Sequence, residues 1–187
     1  MDAAFTSAFS TPRSHRVLGF DLKPLTVGHL IALESSGVSI VEPSTFHELA
    51  FIIFICAQSE VSAMKNLRAW WAPVLFRIWG RIWRDRDITK QAEAWERYIS
   101  ESLQAPQVKT PVGAPRFESP LGTRLLVMLM RELGMTMSEA KATTVSAANC
   151  LWVTVGEMEG TVQIWTDRDQ SFWEQCQQLD REAYGTS

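Results

Sequence analysis

A proline-dense segment over residues 105–120 is the feature that most constrains how this chain can fold. Its structure-breaking residues are Pro106, Pro111, Gly113, Pro115 and Pro120. Proline has no amide hydrogen to donate and its ring fixes the backbone, so a stretch this rich in proline is unsuited to a helix or a central strand. The sequence therefore predicts two domains, 1–104 and 121–187, joined by a Pro-rich linker at 105–120.

The N-terminal part carries signals for a series of helices. Thr26 is a good N-cap and Gly37 a good stop for one helix, and Thr45 with Glu48 forms the capping box of a second. A third, amphipathic helix follows residue 87. It places on one face Ala92, Trp95, Ile99 and Leu103.

The C-terminal part repeats the same signals. An apolar helix over 121–133 stops at Gly134, Thr136 and Glu139 form another capping box, and a longer helix over 145–159 ends at Gly160. The strand-like run at 51–55 has no second run to pair with. The predicted fold is therefore an all-α, multi-helix bundle in two helical groups.

Composition and cysteine use indicate the class of protein. The formal net charge is -3 and the sequence pI about 5.7, so the total charge implies no nucleic-acid partner. Cys56, Cys150 and Cys176 are an odd, widely spaced set, which favours a reducing compartment and predicts a cytoplasmic protein. The uncharged apolar run at 49–57 is far shorter than the roughly 20 residues that a membrane span needs.

The motifs of common enzymes and metal sites do not occur in the sequence. There is no HExxH, CxxC, GxxxxGK[ST], GxGxxG or GxSxG pattern. Cys150 is predicted to be a small buried apolar residue rather than a nucleophile. His15, His29 and His47 are predicted to be structural or solvated. We therefore expect a non-enzymatic protein with no catalytic residue, no cofactor and no metal site.

The unusual local feature is a basic, tryptophan-rich stretch over 65–86, which we call the tryptophan–arginine segment. A protein partner would use these side chains as binding hot spots. A nucleic acid or a membrane surface would also bind arginine and tryptophan. A core helix whose arginines shield apolar surface is the simplest alternative. The candidate partner-binding residues are Trp70, Trp71, Arg77, Trp79, Arg81, Trp83 and Arg84.

Over residues 129–153 the sequence predicts a helix, a turn, a short helix and a further helix. This order loosely matches a helix-turn-helix motif. Between residues 142 and 160 there is no lysine or arginine, whereas Glu157 and Glu159 are present. A recognition helix without positive charge cannot approach phosphates favourably. A small helical packing unit is the better interpretation, and nucleic acid is an unlikely partner.

Two segments carry a resemblance to a known family. The first reads Leu-Lys-Pro-Leu-Thr-Val-Gly-His-Leu over 22–30, followed by Ala-Leu-Glu at 32–34 and by Gly37. The second reads Met-Arg-Glu-Leu-Gly-Met-Thr-x-x-Glu-Ala over 130–140, followed by Leu-Trp at 151–152 and Glu-x-Glu-Gly at 157–160. Together they resemble bacteriophage and prophage tail assembly chaperones. Where the family pattern leads us to expect an aromatic or acidic residue and then a proline, this chain has Lys-Ala-Thr-Thr at 141–144.

The resemblance implies a protein that binds the tail tape measure protein, or other tail proteins, and keeps apolar helices from aggregating during tail morphogenesis. Met128, Met130, Met135 and Met137 could provide adaptable contacts to such a helix. The alternatives are a structural virion component, such as a connector or minor tail protein, and a nucleic-acid-binding regulator. Homo-oligomerisation is compatible with each of these functions.

Overall fold

The computed structural model describes residues 6, 8, 9, 14–41, 43, 45–66, 88–109, 119–164, 169, 171 and 172. Seven helices and four short strands lie in this part of the chain. In order they are β1 His15–Val17, β2 Phe20–Leu22, α1 Val27–Ser35, α2 Phe46–Cys56, α3 Glu60–Asn66, α4 Ile88–Ser102, β3 Val108–Lys109, α5 Leu121–Glu132, α6 Met137–Ala142, α7 Val145–Met158 and β4 Gln163–Ile164.

The predicted helix boundaries are confirmed where the sequence carried capping signals. Thr26 caps α1 and Thr136 caps α6 through reciprocal capping boxes, and the Thr45 hydroxyl accepts from the Glu48 amide at the start of α2. Gly37 and Gly160, just beyond α1 and α7, have φ of 71°. Glycine adopts this left-handed backbone without strain, which is why these helices end there.

The expectation of an all-α fold was too strict, because β1 and β2 form an antiparallel hairpin. Val17 pairs with Phe20, so Leu18 and Gly19 alone form the turn, and both have positive φ. Such a two-residue turn matches the twist of the strands. Leu18 tolerates this backbone because its side chain is buried and its amide donates to the Gln91 side chain of α4 at 2.7 Å.

A second antiparallel pair, β3 with β4, begins inside the predicted linker. Val108 pairs with Ile164 and Lys109 with Gln163, and Pro106 just before them is buried. The prediction that the segment lacks regular structure is therefore wrong for residues 108 and 109. Neither residue is a proline, so both can pair, and β4 supplies the partner strand. Residues 110–118 lie outside the described part.

Helix α1 lies at the centre of the packing. It contacts α2 and α3, which precede the proline-dense segment, and α5 and α6, which follow it. One continuous hydrophobic cluster results, with buried residues from both sides of that segment. Among its fully buried members are Leu25, Leu33, Ile52, Ile53, Leu125, Leu129 and Val145. The chain is thus predominantly helical around a shared core, while the boundaries 1–104, 105–120 and 121–187 stay a prediction.

Candidate functional site

The tryptophan–arginine segment falls almost wholly outside the described part of the chain. All seven candidate partner-binding residues, Trp70, Trp71, Arg77, Trp79, Arg81, Trp83 and Arg84, belong to the range 67–87. The two helices that bound this range are described. Helix α3 packs on α1 and α2, and α4 packs on β1 and α7. The helices before and after residues 67–87 are therefore both packed on other described elements.

The described part brings together the two segments that carry the family resemblance. The amide of Val27 donates to the Thr143 carbonyl and the amide of Val145 donates to the Leu25 carbonyl, both at 2.9 Å. Thr26 and Thr144 thus face each other in an antiparallel bridge, and each is also the N-cap of its helix. We call this arrangement the threonine joint. It fastens the start of α1 to the start of α7.

His29 is buried directly beside the threonine joint, with 1% of its surface exposed. Its Nδ1 accepts from the Thr26 amide at 3.2 Å, and its Nε2 lies 3.0 Å from the Gln58 carbonyl. Because an amide only donates and a carbonyl only accepts, the ring is neutral with its hydrogen on Nε2. Burial lowers the His29 pKa, the Gln58 hydrogen bond opposes this effect, and the charge of Lys23 adds to it. Of the two predicted states, structural or solvated, His29 is therefore not the solvated one.

Glu34, near the end of α1, holds the beginning of α5. Its Oε1 accepts from the Gly122 amide at 2.7 Å, which satisfies one of the amides left without a partner at a helix start. The N-cap residue itself, Pro120, makes no side-chain hydrogen bond. The close approach requires glycine, since a Cβ at residue 122 would lie 3.0 Å from the Leu30 Cβ and 3.1 Å from the Ile31 amide nitrogen.

A second set of polar side chains, around Tyr98 of α4, lies near β1 and the end of α2. The Tyr98 hydroxyl donates to the Lys23 carbonyl at 3.0 Å and lies beside the Cys56 thiol. His15 contacts the Tyr98 ring edge-on, and its Nε2 lies 3.0 Å from the Glu101 carboxylate. Burial raises the Tyr98 pKa well above its ordinary value, and the neighbouring Cys56 adds to this rise. No pattern in the sequence predicted these contacts.

The Cys56 thiol is chemically quiet in this setting. It is fully buried, and burial raises its pKa from 9.0 to about 12, although the Tyr98 hydrogen bond acts in the opposite direction. A reactive cysteine needs a lowered pKa and access to solvent. Cys56 therefore lacks the properties of a nucleophile, and its observed role is to pack beside Tyr98.

We expect alkylation of Cys56 at pH 7.5 to be very slow in the native protein. The rise in pKa from 9.0 to about 12 lowers the thiolate fraction roughly thousandfold, and burial blocks the reagent as well. Peptide mass spectrometry after timed exposure to iodoacetamide measures the rate, with the denatured chain as control. Native modification at the rate of the denatured chain would contradict this assignment.

Helices α5 and α7 expose apolar side chains that the sequence did not predict to lie on the surface. Val127 on α5 is 55% exposed and Trp152 on α7 is 40% exposed. The Arg124 guanidinium lies 5.8 Å from the centre of the Trp152 ring, within the range of a cation–π contact. Trp152 belongs to the Leu-Trp pair of the resemblance. Its position on the surface could not be read from the sequence, because tryptophan at helical spacing is equally typical of a core.

The described residues include neither a metal-binding cluster nor a membrane-spanning helix. They contain no group of three or more histidine, cysteine or acidic side chains that could hold a metal ion. Within the same part of the chain, every helix is too short or too polar to span a bilayer. Comparison with known proteins finds no match among protein-family models, curated proteins or solved structures.

Proposed function

We propose that this chain is a non-enzymatic phage tail assembly protein of the chaperone type. It would act in the cytoplasm of the bacterial host by binding the tape measure or other tail proteins during tail morphogenesis. The observation that carries the proposal is the packing of residues 22–37 against residues 130–160. Helix α1 contacts α5 and α6, and the threonine joint links residues 25–27 with 143–145.

This packing gives the resemblance a structural meaning. Two segments far apart in sequence each resemble the same family, and in the structure they are neighbours around one core. The likeness therefore falls on two segments that pack on each other within the shared core.

The proposed partner-binding surface is the tryptophan–arginine segment. Tryptophan and arginine are the residues most enriched among binding hot spots, and an amphipathic helix is a common ligand of helical proteins. The segment is bounded by α3 and α4, both anchored on the core.

Co-expression with candidate neighbouring tail proteins, followed by pull-down, tests this function. We expect the chain to capture the tape measure or another tail protein. The triple change Arg77→Ala, Arg81→Ala and Arg84→Ala should weaken the affinity at least tenfold, because one hot-spot residue contributes about 2 kcal/mol. The matched control replaces three exposed arginines outside the segment with alanine and so changes the net charge equally. They are Arg16, Arg97 and Arg131.

The control triple should bind within about twofold of the unchanged chain, because single exposed charges contribute little. Equal loss in both triples would show that net charge, not the segment, governs binding. A chain that enriches no tail protein would overturn the proposed function. Circular dichroism of each variant verifies that the helices are retained.

A structural virion component is the first alternative, with the tryptophan-rich surface buried on assembly. Quantitative mass spectrometry of purified virions separates the two functions. We expect the chain to be absent from mature particles, as a chaperone that acts only during assembly would be. A fixed copy number per particle would favour a connector or minor tail protein instead.

A nucleic-acid-binding regulator is the second alternative. In the helix-turn-helix reading, α7 would be the recognition helix, but Val145, Ala148 and Val153 of α7 are buried and the helix carries no lysine or arginine. Both features oppose docking of α7 in a groove. Fluorescence anisotropy with duplex DNA at two salt concentrations tests this directly, and tight, strongly salt-dependent binding would favour the regulator.

The finer architecture is part of the same proposal. We propose two helical groups joined by a Pro-rich linker at 105–120, with the second group docked on α1. The strand pair β3–β4 supports this arrangement, because it returns the chain after α7 to the first residues of the linker. A linker of this kind lets one group dock on the other without a continuous helix between them.

A further inference from the structure

The neutral imidazole of His29 makes hydrogen bonds to two different parts of the backbone. On one side, Nδ1 accepts from the backbone amide of Thr26, and the Thr26 hydroxyl lies 3.0 Å from the same nitrogen. On the other side, Nε2 donates to the Gln58 carbonyl, which lies between α2 and α3. The ring therefore connects the start of α1 to the chain segment that follows α2.

Thr26 in turn faces Thr144, at the start of α7, in the antiparallel bridge. Its hydroxyl accepts from the His29 amide at 3.3 Å as the N-cap of α1. The residues on either side of Thr26 make the two backbone hydrogen bonds of the threonine joint, Val27 to Thr143 and Val145 to Leu25. The buried ring is thus hydrogen-bonded to the residue at the centre of one of the contacts between the N-terminal and C-terminal helices.

A proton on Nδ1 would cost the Thr26 amide its acceptor, while the Thr26 hydroxyl, 3.0 Å from the same nitrogen, could accept that proton. The nitrogen would change from an acceptor to a donor and would then face the Thr26 amide, which is also a donor. The Thr26 amide would lose its acceptor inside the protein, and a buried unsatisfied amide costs free energy. The imidazolium charge would also lie in a site that is almost fully closed to water.

We propose that His29 is an acid-sensitive latch, whose protonation opens the threonine joint and separates the start of α1 from the start of α7. The latch is a conformational device beyond the proposed function and does not rest on it. Protonation at Nδ1 releases the Thr26 amide, and Val27 and Val145 then lose the backbone geometry for their hydrogen bonds to Thr143 and Leu25. The Nε2 bond to Gln58 is retained, because Nε2 donates in both charge states.

Among the described residues, His29 makes no hydrogen bond or ion pair with a carboxylate. The elements packed on α1 carry Glu48, Glu60, Lys65, Arg124, Arg131, Glu132, Glu139 and Lys141. The positive charge of Lys23 opposes a second positive charge on the ring. Glu139 lies on α6 next to the joint, but its carboxylate accepts from the Thr136 amide and hydroxyl at 2.9 Å and 2.7 Å.

The pH window follows from the sign of the pKa shift. An unfolded or opened chain binds a proton at His29 with a pKa near 6.5, whereas the closed joint binds it at a lower pKa. The contribution of the closed joint to stability is therefore complete above pH 6.5 and falls as the pH drops towards the folded pKa. Within that window, uptake of one proton raises the opening constant about tenfold for each pH unit.

A titration of the full chain by NMR tests the latch without any substitution. We expect the His29 ring to show its hydrogen on Nε2 at pH 7.5 and to resist protonation below pH 6.5. We also expect the amides of Val27 and Val145 to lose hydrogen-exchange protection between pH 6.5 and pH 5, after correction for the intrinsic exchange rate. Protection that is constant over this range, or a ring that titrates at or above pH 6.5, would overturn the proposal.

Two variants separate the latch from general acid sensitivity. Glutamine at residue 29 can donate to the Gln58 carbonyl but cannot titrate, so His29→Gln should make the protection of Val27 and Val145 independent of pH in this window. The control His15→Gln removes another histidine, at the Glu101 contact, and should keep the loss seen in the unchanged chain. A loss of equal slope in His29→Gln would overturn the latch. The ring titration of the unchanged chain decides the matter if His29→Gln does not fold.

Discussion

Replacing Leu129 with alanine is expected to lower the free energy of unfolding by about 3 kcal/mol, because a fully buried leucine leaves a cavity when it is shortened. Leu129 lies on α5, after the proline-dense segment, yet it belongs to the same hydrophobic cluster as Leu33 and Ile53. The effect should therefore reach α1 and α2 as well. Denaturant unfolding followed by circular dichroism and by hydrogen exchange of amides in α1, α2 and α5 measures it.

Val127→Ala is the matched control on the same helix. Val127 is 55% exposed, so its shortening should change the free energy of unfolding by no more than about 0.5 kcal/mol. For Leu129→Ala, a single transition shared by all three helices is the expected result. Loss of protection confined to α5, with α1 and α2 unchanged, would show that the two helical groups are stable separately.

The second large effect is expected at Gly122, where α5 begins against α1. Valine at this position would place its Cβ 3.0 Å from the Leu30 Cβ and 3.1 Å from the Ile31 amide nitrogen, and both atoms belong to a packed helix. The helices must move apart, and the hydrogen bond from the Gly122 amide to Glu34 is then lost. We expect Gly122→Val to lower the free energy of unfolding by about 3 kcal/mol, measured by denaturant unfolding.

Thr123→Val provides the control for this change. It introduces the same residue one position along α5, where the side chain is exposed, so the intrinsic helix preference of valine is kept while the contact with α1 is absent. We expect a change within about 0.5 kcal/mol. Similar losses at both positions would mean that the contact between Gly122 and α1 contributes little to stability.

The helices were predictable from the sequence because their signals are local. Thr26, Thr45 and Thr136 are side-chain N-caps, and Gly37 and Gly160 have the left-handed backbone beyond the helix ends. Each signal acts within about four residues of a helix end, so no knowledge of the tertiary structure was needed.

The contacts between distant segments were not predictable in this way. The threonine joint relies on backbone hydrogen bonds of Val27 and Val145, which any non-proline residue could make, so the sequence carries no mark of it. The β1–β2 hairpin was missed because three-residue strands are too short to show alternation. Tyr98 was missed because its hydroxyl finds its acceptor, the Lys23 carbonyl, only in the folded chain.

For the candidate site as well, some features could be predicted from the sequence and others could not. The tryptophan–arginine segment stands out in the sequence by composition, and its seven candidate residues remain a prediction because they lie outside the described part of the chain. The features that the structure adds, His29 at the threonine joint and Glu34 at Gly122, consist of single residues. A single histidine or glutamate on a helix has no pattern that separates it from its neighbours.

The threonine joint also has a consequence for the order of events during synthesis. Leu25 and Val27 leave the ribosome early, whereas their partners Val145 and Thr143 are added only after α5 and α6. Until then α1 lacks its contacts with α5 and α6, and the apolar surface that these helices cover, including Leu30 and Leu33, is open to solvent or to other chains. Translation of residues 121–145 therefore sets the earliest time at which the N-terminal helices can reach their final packing.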